Sequence, residues 1–174
     1  MASPLYAKSH NQLSARVAGV MSKVMYPITP TKASEIKEGE YFYIPLNDGR
    51  FACGRILLIE KKNGRKTKLL LVGLHDWSGS KHPSQVDIHE CPIIEQGVLH
   101  INSISHVGGE IIGFKPLQED GLKPFLQVEA GYLLDGFENL GSIPSEEYCN
   151  YTRRTTYGLN SISLKANKYF AKNS

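Results

Sequence analysis

No stretch of this chain approaches the run of about 18 apolar residues that a membrane-spanning helix requires. Cysteine is scarce: Cys53, Cys91 and Cys149 are odd in number, far apart and free of any CxxC spacing. That argues against a disulfide framework and for free, buried thiols in a reducing compartment. Catalytic signatures are missing too. There is no GxSxG to present an activated serine, and Gly108-Gly109 lacks the further glycines of a phosphate-cradling loop. The adjacent carboxylates Glu119/Asp120 and Glu146/Glu147 sit in Gly- or Pro-flanked loops and read as solvated surface rather than as an acid–base pair. His75, His82, His89, Cys91, His100 and His106 crowd into one region, with His89-Glu90-Cys91 the tightest group. Their spacing is not that of a zinc site, which sets two ligands on one loop or helix face. The expectation is a protein with no catalytic residues, no metal and no cofactor.

Charge of one sign is missing from each end of the chain. Residues 150–174 carry five basic residues and no acidic one, and residues 1–37 carry five basic and one acidic. Residues 69–149 invert this, with three basic and twelve acidic residues. Either the basic ends lie against the acidic middle, or the middle presents an acidic face to a basic partner.

What is present is β-forming sequence. The chain is organised around residues 38–76, which read as three strands joined by two tight turns. Tyr41–Leu46 is aromatic and β-branched, with Pro45 suited to a strand end. Asp48-Gly49 is a hairpin signal because both residues tolerate the left-handed region. Phe51–Glu60 follows, its Ile56–Ile59 run continuously apolar and Arg55 and Glu60 its only charges. Asn63-Gly64 then turns the chain into a third strand, Thr67–Leu74. Bends at Gly54 and Gly73 would curl this meander into a small barrel or a bent sheet. His75–Pro83 reads as a polar loop carrying the only tryptophan, Trp77, either as a cap on the core or as an anchor for a partner.

Around the meander, Leu13, Val17, Val20, Met21 and Val24 form a helical stripe, predicting a helix over 10–25 that packs on the sheet. Its composition mimics an organelle transit peptide, but the stripe is short and only mildly basic. A single helical turn fits Ser34–Lys37. Gln85–Cys91, Gly97–Ile104, Gly109–Phe114, Phe125–Val128, Tyr132–Leu134 and Tyr148–Leu159 are strand candidates, and Ile162–Phe170 is a strand or short helix. The reading is a mainly β, β-rich α+β fold: a bent antiparallel sheet or small barrel with an N-terminal helix packed on it. It forms one domain over 1–174, with a core at 38–145 and a C-terminal extension at 146–174.

The segment from Glu38 to Ile56 resembles the opening of immunity protein family 26 of bacterial polymorphic toxin systems. Gly39, Ile44-Pro45-Leu46, Asp48-Gly49 and Gly54-Arg55 carry the likeness, which continues in β-rich style to residue 145. The resemblance implies a cytoplasmic bacterial immunity protein, not an enzyme. It would bind the C-terminal toxin domain made beside it and occlude that toxin's active site, as in contact-dependent growth inhibition. Many such toxins are nucleases with basic clefts, and the acidic block at 69–149 suits such a surface because carboxylates mimic phosphate and steer association. The candidate contacts are Asp76, Asp87, Glu90, Glu110, Glu119 and Asp120, with Trp77 as apolar anchor. The competing reading is a nucleic-acid-binding β-barrel module that uses the basic 60–68 hairpin through Lys61, Lys62, Arg65 and Lys66.

Overall fold

The computed structural model describes residues 25–172. The meander forms as its turns and alternation require. β1 (Glu40–Pro45), β2 (Phe51–Lys62) and β3 (Arg65–Gly79) are antiparallel neighbours, and β4 (Ile93–His100) pairs antiparallel with β3. A short helix, α1 (Asn102–His106), leads to β5 (Ile111–Phe114), which returns to pair with β1. A second hairpin system follows: β6 (Leu126–Glu129), β7 (Tyr132–Asp135) and β8 (Glu138–Ser142). Two dipeptide strands, β9 (Thr152–Arg153) and β10 (Thr156–Tyr157), precede the terminal helix α2 (Ser161–Lys172).

These strands make two open mixed sheets. The first is six-stranded in the order β10-β4-β3-β2-β1-β5, the second four-stranded in the order β8-β7-β6-β9. The sheets do not close into the barrel that the sequence allowed. β10 joins β4 in parallel through only two residue pairs, and the outer side of β5 is taken by an Ile28↔Ile111 bridge. With the outer side of β5 occupied, β5 and β10 do not meet.

Alternation along the strands gives the first sheet two unlike faces. Phe42, Ile44, Ala52, Ile56, Val72 and Leu74 point into the main core. α2 closes that core with Ile162, Ala166 and Phe170, which recur every four residues on one helical face. The helix expected over 10–25 falls on residues outside those described, apart from Met25, which is coil. The helix that covers the described core is at the opposite end of the chain.

Gly54 and Gly73 act by making room for neighbours. A Cβ at Gly54 would lie 2.2 Å from the Phe42 ring, and one at Gly73 2.8 Å from Ile93. The β2–β3 ladder shifts register between Ala52 and Gly54 and at two further places, and this keeps the long hairpin bent.

Four other expectations change. His75–Gly79 is strand rather than loop, because Ala52 and Phe51 pair with Ser78 and Gly79 and extend the hairpin. Gln85–Cys91 is a succession of turns rather than a strand: Ser84 caps it by donating its N–H and hydroxyl to Asp87 (2.8 and 2.6 Å). Tyr148–Leu159 is a 3-10 helix over Ser145–Asn150 followed by β9 and β10. Gly97–Ile104 divides between the end of β4 and α1.

A candidate partner-binding surface over a buried ion cluster

The second face of the six-stranded sheet carries Tyr41, Cys53, Arg55, His75 and Trp77, at alternate positions of β1, β2 and β3. Tyr41, Cys53 and Ile88 form a small apolar cluster with Trp77 and Ile112 packed against it. Ile88 comes from the turn segment after Pro83, which lies over this face. Burial pushes the Cys53 thiol up, so it is an inert packing group rather than a nucleophile.

Beside this cluster lies a set of charges that the sequence reading treats as surface. The Asp120 carboxylate has no solvent-exposed area. It accepts hydrogen bonds from Lys115 Nζ and from the Glu90 N–H at 3.2 Å, with His89 Nδ1 3.1 Å away and Arg55 Nη2 at 3.5 Å. Burial alone would raise this carboxyl, but Lys115, His89 and the Glu90 N–H outweigh it and hold Asp120 below its usual value. The Arg55 guanidinium is completely buried and donates to the Lys115 carbonyl. Its carbon sits 5.8 Å from the Tyr41 ring centroid. Burial lowers its pKa against the pull of Asp120. Arg55 Nε and Nη1 have no hydrogen-bond partner, and neither does Nε2 of the buried His75. His75 Nδ1 lies 2.9 Å from the Cys91 carbonyl, which fixes the proton on that nitrogen. Burial pushes its pKa down to about 4, so the ring is neutral at pH 7.

The second sheet is fastened to this same face. Gln96 on β4 donates from Nε2 to the Phe125 carbonyl and accepts at Oε1 from the Phe125 N–H, both at 2.7 Å. One buried side-chain amide thus pairs with the backbone at the start of β6 as a neighbouring strand would.

The seven candidate contacts divide over this scaffold. Asp87, Glu90 and Glu119 are exposed, while Trp77 is half-buried. Glu90 and Glu119 flank the buried Asp120, and Asp87 adjoins Ile88 of the apolar cluster. Asp87 is held below its usual pKa by its Ser84 hydrogen bonds. Glu110 joins the surface through Tyr43, whose hydroxyl donates to it at 3.2 Å. The Tyr43 ring stacks on His82 at 4.0 Å, and Phe51 meets His82 edge-on. Asp76 stands apart. It points to the other side of β3 and accepts from the Tyr169 hydroxyl of α2 at 3.1 Å. Among the described residues, no three His, Cys, Asp or Glu side chains gather as metal ligands.

Lys61, Lys62, Arg65 and Lys66 all lie exposed at the tip of the β2–β3 hairpin. Lys61 stands directly opposite Lys66, and Lys62 opposite Arg65. Lys66 donates to the Ile36 carbonyl at 2.6 Å, and Lys62 lies 3.6 Å from Glu60.

Sequence reasoning missed Arg55, Lys115, His75 and Gln96 as members of this layer. Arg55 did carry a signal: a lone arginine inside an apolar strand, which demands a buried counter-charge. Its partner is 65 residues away and has no local mark.

The fold and this surface define a β-rich scaffold that presents exposed carboxylates over a buried ion cluster, and no helix among the described residues is long and apolar enough to cross a bilayer. The family model described as immunity protein 26 matches residues 37–129, from just before β1 to the end of β6. That is more than half of the chain, and the chain belongs to the immunity protein 26 family. No curated protein and no solved structure is significantly similar to it.

Proposed function

We propose that this protein is the immunity partner of a bacterial toxin. It binds the C-terminal toxin domain encoded beside it in a polymorphic toxin system and blocks the toxin's active site within the cytoplasm. It acts by binding and catalyses nothing. Membership of the immunity protein 26 family is the observation that carries this reading. The charge pattern extends it to a nuclease toxin with a basic, phosphate-binding cleft. Asp87, Glu90 and Glu119 offer exposed carboxylates to such a cleft, and half-buried Trp77 offers an apolar anchor. Glu110 would contribute at the margin, and Asp76, on the other side of β3, would lie off the contact. Asp120, with its carboxylate turned inward, would hold the Glu90 and Glu119 segments in place rather than touch the toxin.

The test is co-expression with the toxin domain of the neighbouring reading frame. The intact protein should restore growth, and the double charge reversal Glu90→Lys, Glu119→Lys should weaken protection while leaving the melting temperature unchanged. Growth arrest despite expression of the intact protein would dismiss the immunity reading.

A second reading has one observation in its favour: the facing cations at the hairpin tip, which raise local positive potential at some expense in stability. Under that reading the tip binds single-stranded nucleic acid. Neutralising Lys61, Lys62, Arg65 and Lys66 together should then abolish binding of an oligonucleotide, whereas under the immunity reading it should leave toxin neutralisation intact.

A further inference from the structure

The outermost strands of the two sheets differ in how they are finished. On the first sheet, β10 is two residues long and β5 is bridged by Ile28. On the second, β9 is again two residues long. β8 is the exception. It has five residues, all exposed, and its only sheet neighbour among the described residues is β7. A strand in this position presents unpaired backbone N–H and C=O groups, and proteins ordinarily guard such an edge with lysine or proline. The sequence of β8, Glu138-Asn139-Leu140-Gly141-Ser142, has neither; its guard is a bulge at Leu140, where the Gly141 N–H donates to Asn139 Oδ1 at 2.8 Å and the remaining edge groups stay open. Leu140 on this strand is 51% exposed, and Tyr132 on the adjoining β7 is 47% exposed.

The charge around this edge selects its occupant. Glu129, Asp135, Glu138, Glu146 and Glu147 are all exposed, whereas residues 126–154 hold only two basic side chains, Arg153 and Arg154. Arg154 is already engaged, 3.7 Å from Glu129 and donating to the Gly136 carbonyl. A second copy of this chain pairing through β8 would bring like charges together, while a basic strand would be attracted. Position along the chain points the same way. The family match ends at Glu129, so β7 and β8 lie beyond the part that the family model covers, where sequence particular to one partner can be accommodated.

We propose that β8 is the docking edge for an extended, lysine- or arginine-rich segment of the cognate toxin, which adds as a further strand to the four-stranded sheet and packs an apolar side chain against Leu140 and Tyr132. The inference rests on the immunity reading and names the element that contacts the toxin.

The test uses the full chain and the toxin domain of the neighbouring reading frame, with the toxin's catalytic residue replaced. Titration of the intact protein comes first: absence of binding dismisses the immunity reading and this inference with it. Given binding, hydrogen exchange should show slowed amide exchange across 138–142 in the complex. The double variant Glu138→Lys, Leu140→Lys should bind at least about tenfold more weakly with an unaltered melting temperature, since both side chains are exposed. If the intact protein binds while 138–142 exchange unchanged, or if the double variant binds as tightly, the docking edge is overturned and the immunity reading stands. A dimer of the intact protein that the double variant abolishes would assign β8 to a second copy and overturn the inference as well.

Discussion

Asp120 and Glu119 are neighbours in sequence and opposite in situation. Glu119 is exposed on a 3-10 turn; the Asp120 carboxylate is buried with Lys115, Arg55 and His89 around it. Removing Asp120 leaves two enclosed cations without a counter-charge, so Asp120→Ala should destabilise the protein by about 3–5 kcal/mol. Glu119→Ala should change stability by less than about 0.5 kcal/mol. Urea unfolding of the two variants checks the contrast. His75 makes a second prediction at this scale. Its folded pKa is pushed down to about 4, below the value of about 6.5 for an unfolded histidine. The unfolded chain therefore binds the proton first. The contribution is fully present above about pH 6.5 and falls as the pH drops toward 4, a loss of about 3 kcal/mol in all. His75→Asn, which keeps a donor for the Cys91 carbonyl, should flatten the stability profile in that window, as followed by thermal melting at successive pH values. The depressed Asp120 carboxyl acts lower, its contribution being lost as the pH falls from about 4 through the folded pKa.

At the scale of elements, the β2–β3 hairpin shows where local sequence suffices and where it does not. Asp-Gly and Asn-Gly turns with apolar alternation placed β1, β2 and β3 nearly where they lie, because hairpin register is set by contacts a few residues apart. The far end of β3 resembles a loop in sequence because His75, Asp76 and Ser78 are polar. They are strand because β2 is long enough to pair with them. The hairpin tip sets Lys62 against Arg65 across the ladder. Arg65→Glu should replace that repulsion with attraction and raise stability by about 0.2–1 kcal/mol, most clearly at low salt. Chemical denaturation at two ionic strengths measures it.

Across the whole molecule, the part that the family model covers and the part that completes the core are different stretches. The match stops at Glu129, yet α2, beyond it, supplies Ile162, Ala166 and Phe170 to the main core. Phe170→Ala should therefore destabilise the fold by about 3–5 kcal/mol, and equilibrium unfolding checks it. By itself the sequence determined the β-rich class, the central meander, the family likeness at Gly39, Ile44-Pro45-Leu46, Asp48-Gly49 and Gly54-Arg55, and the segregation of charge. All of these are written in composition, in alternation or in turns of adjacent residues. The tertiary structure alone decided that the sheets stay open, that β9 and β10 join them in parallel, and which carboxylates face outward. Those outcomes depend on groups far apart in the chain. Arg55 draws Lys115 and Asp120 beneath the sheet, and Gln96 fastens β6 to β4, so a residue such as Asp120 becomes interior through partners that its local sequence does not reveal.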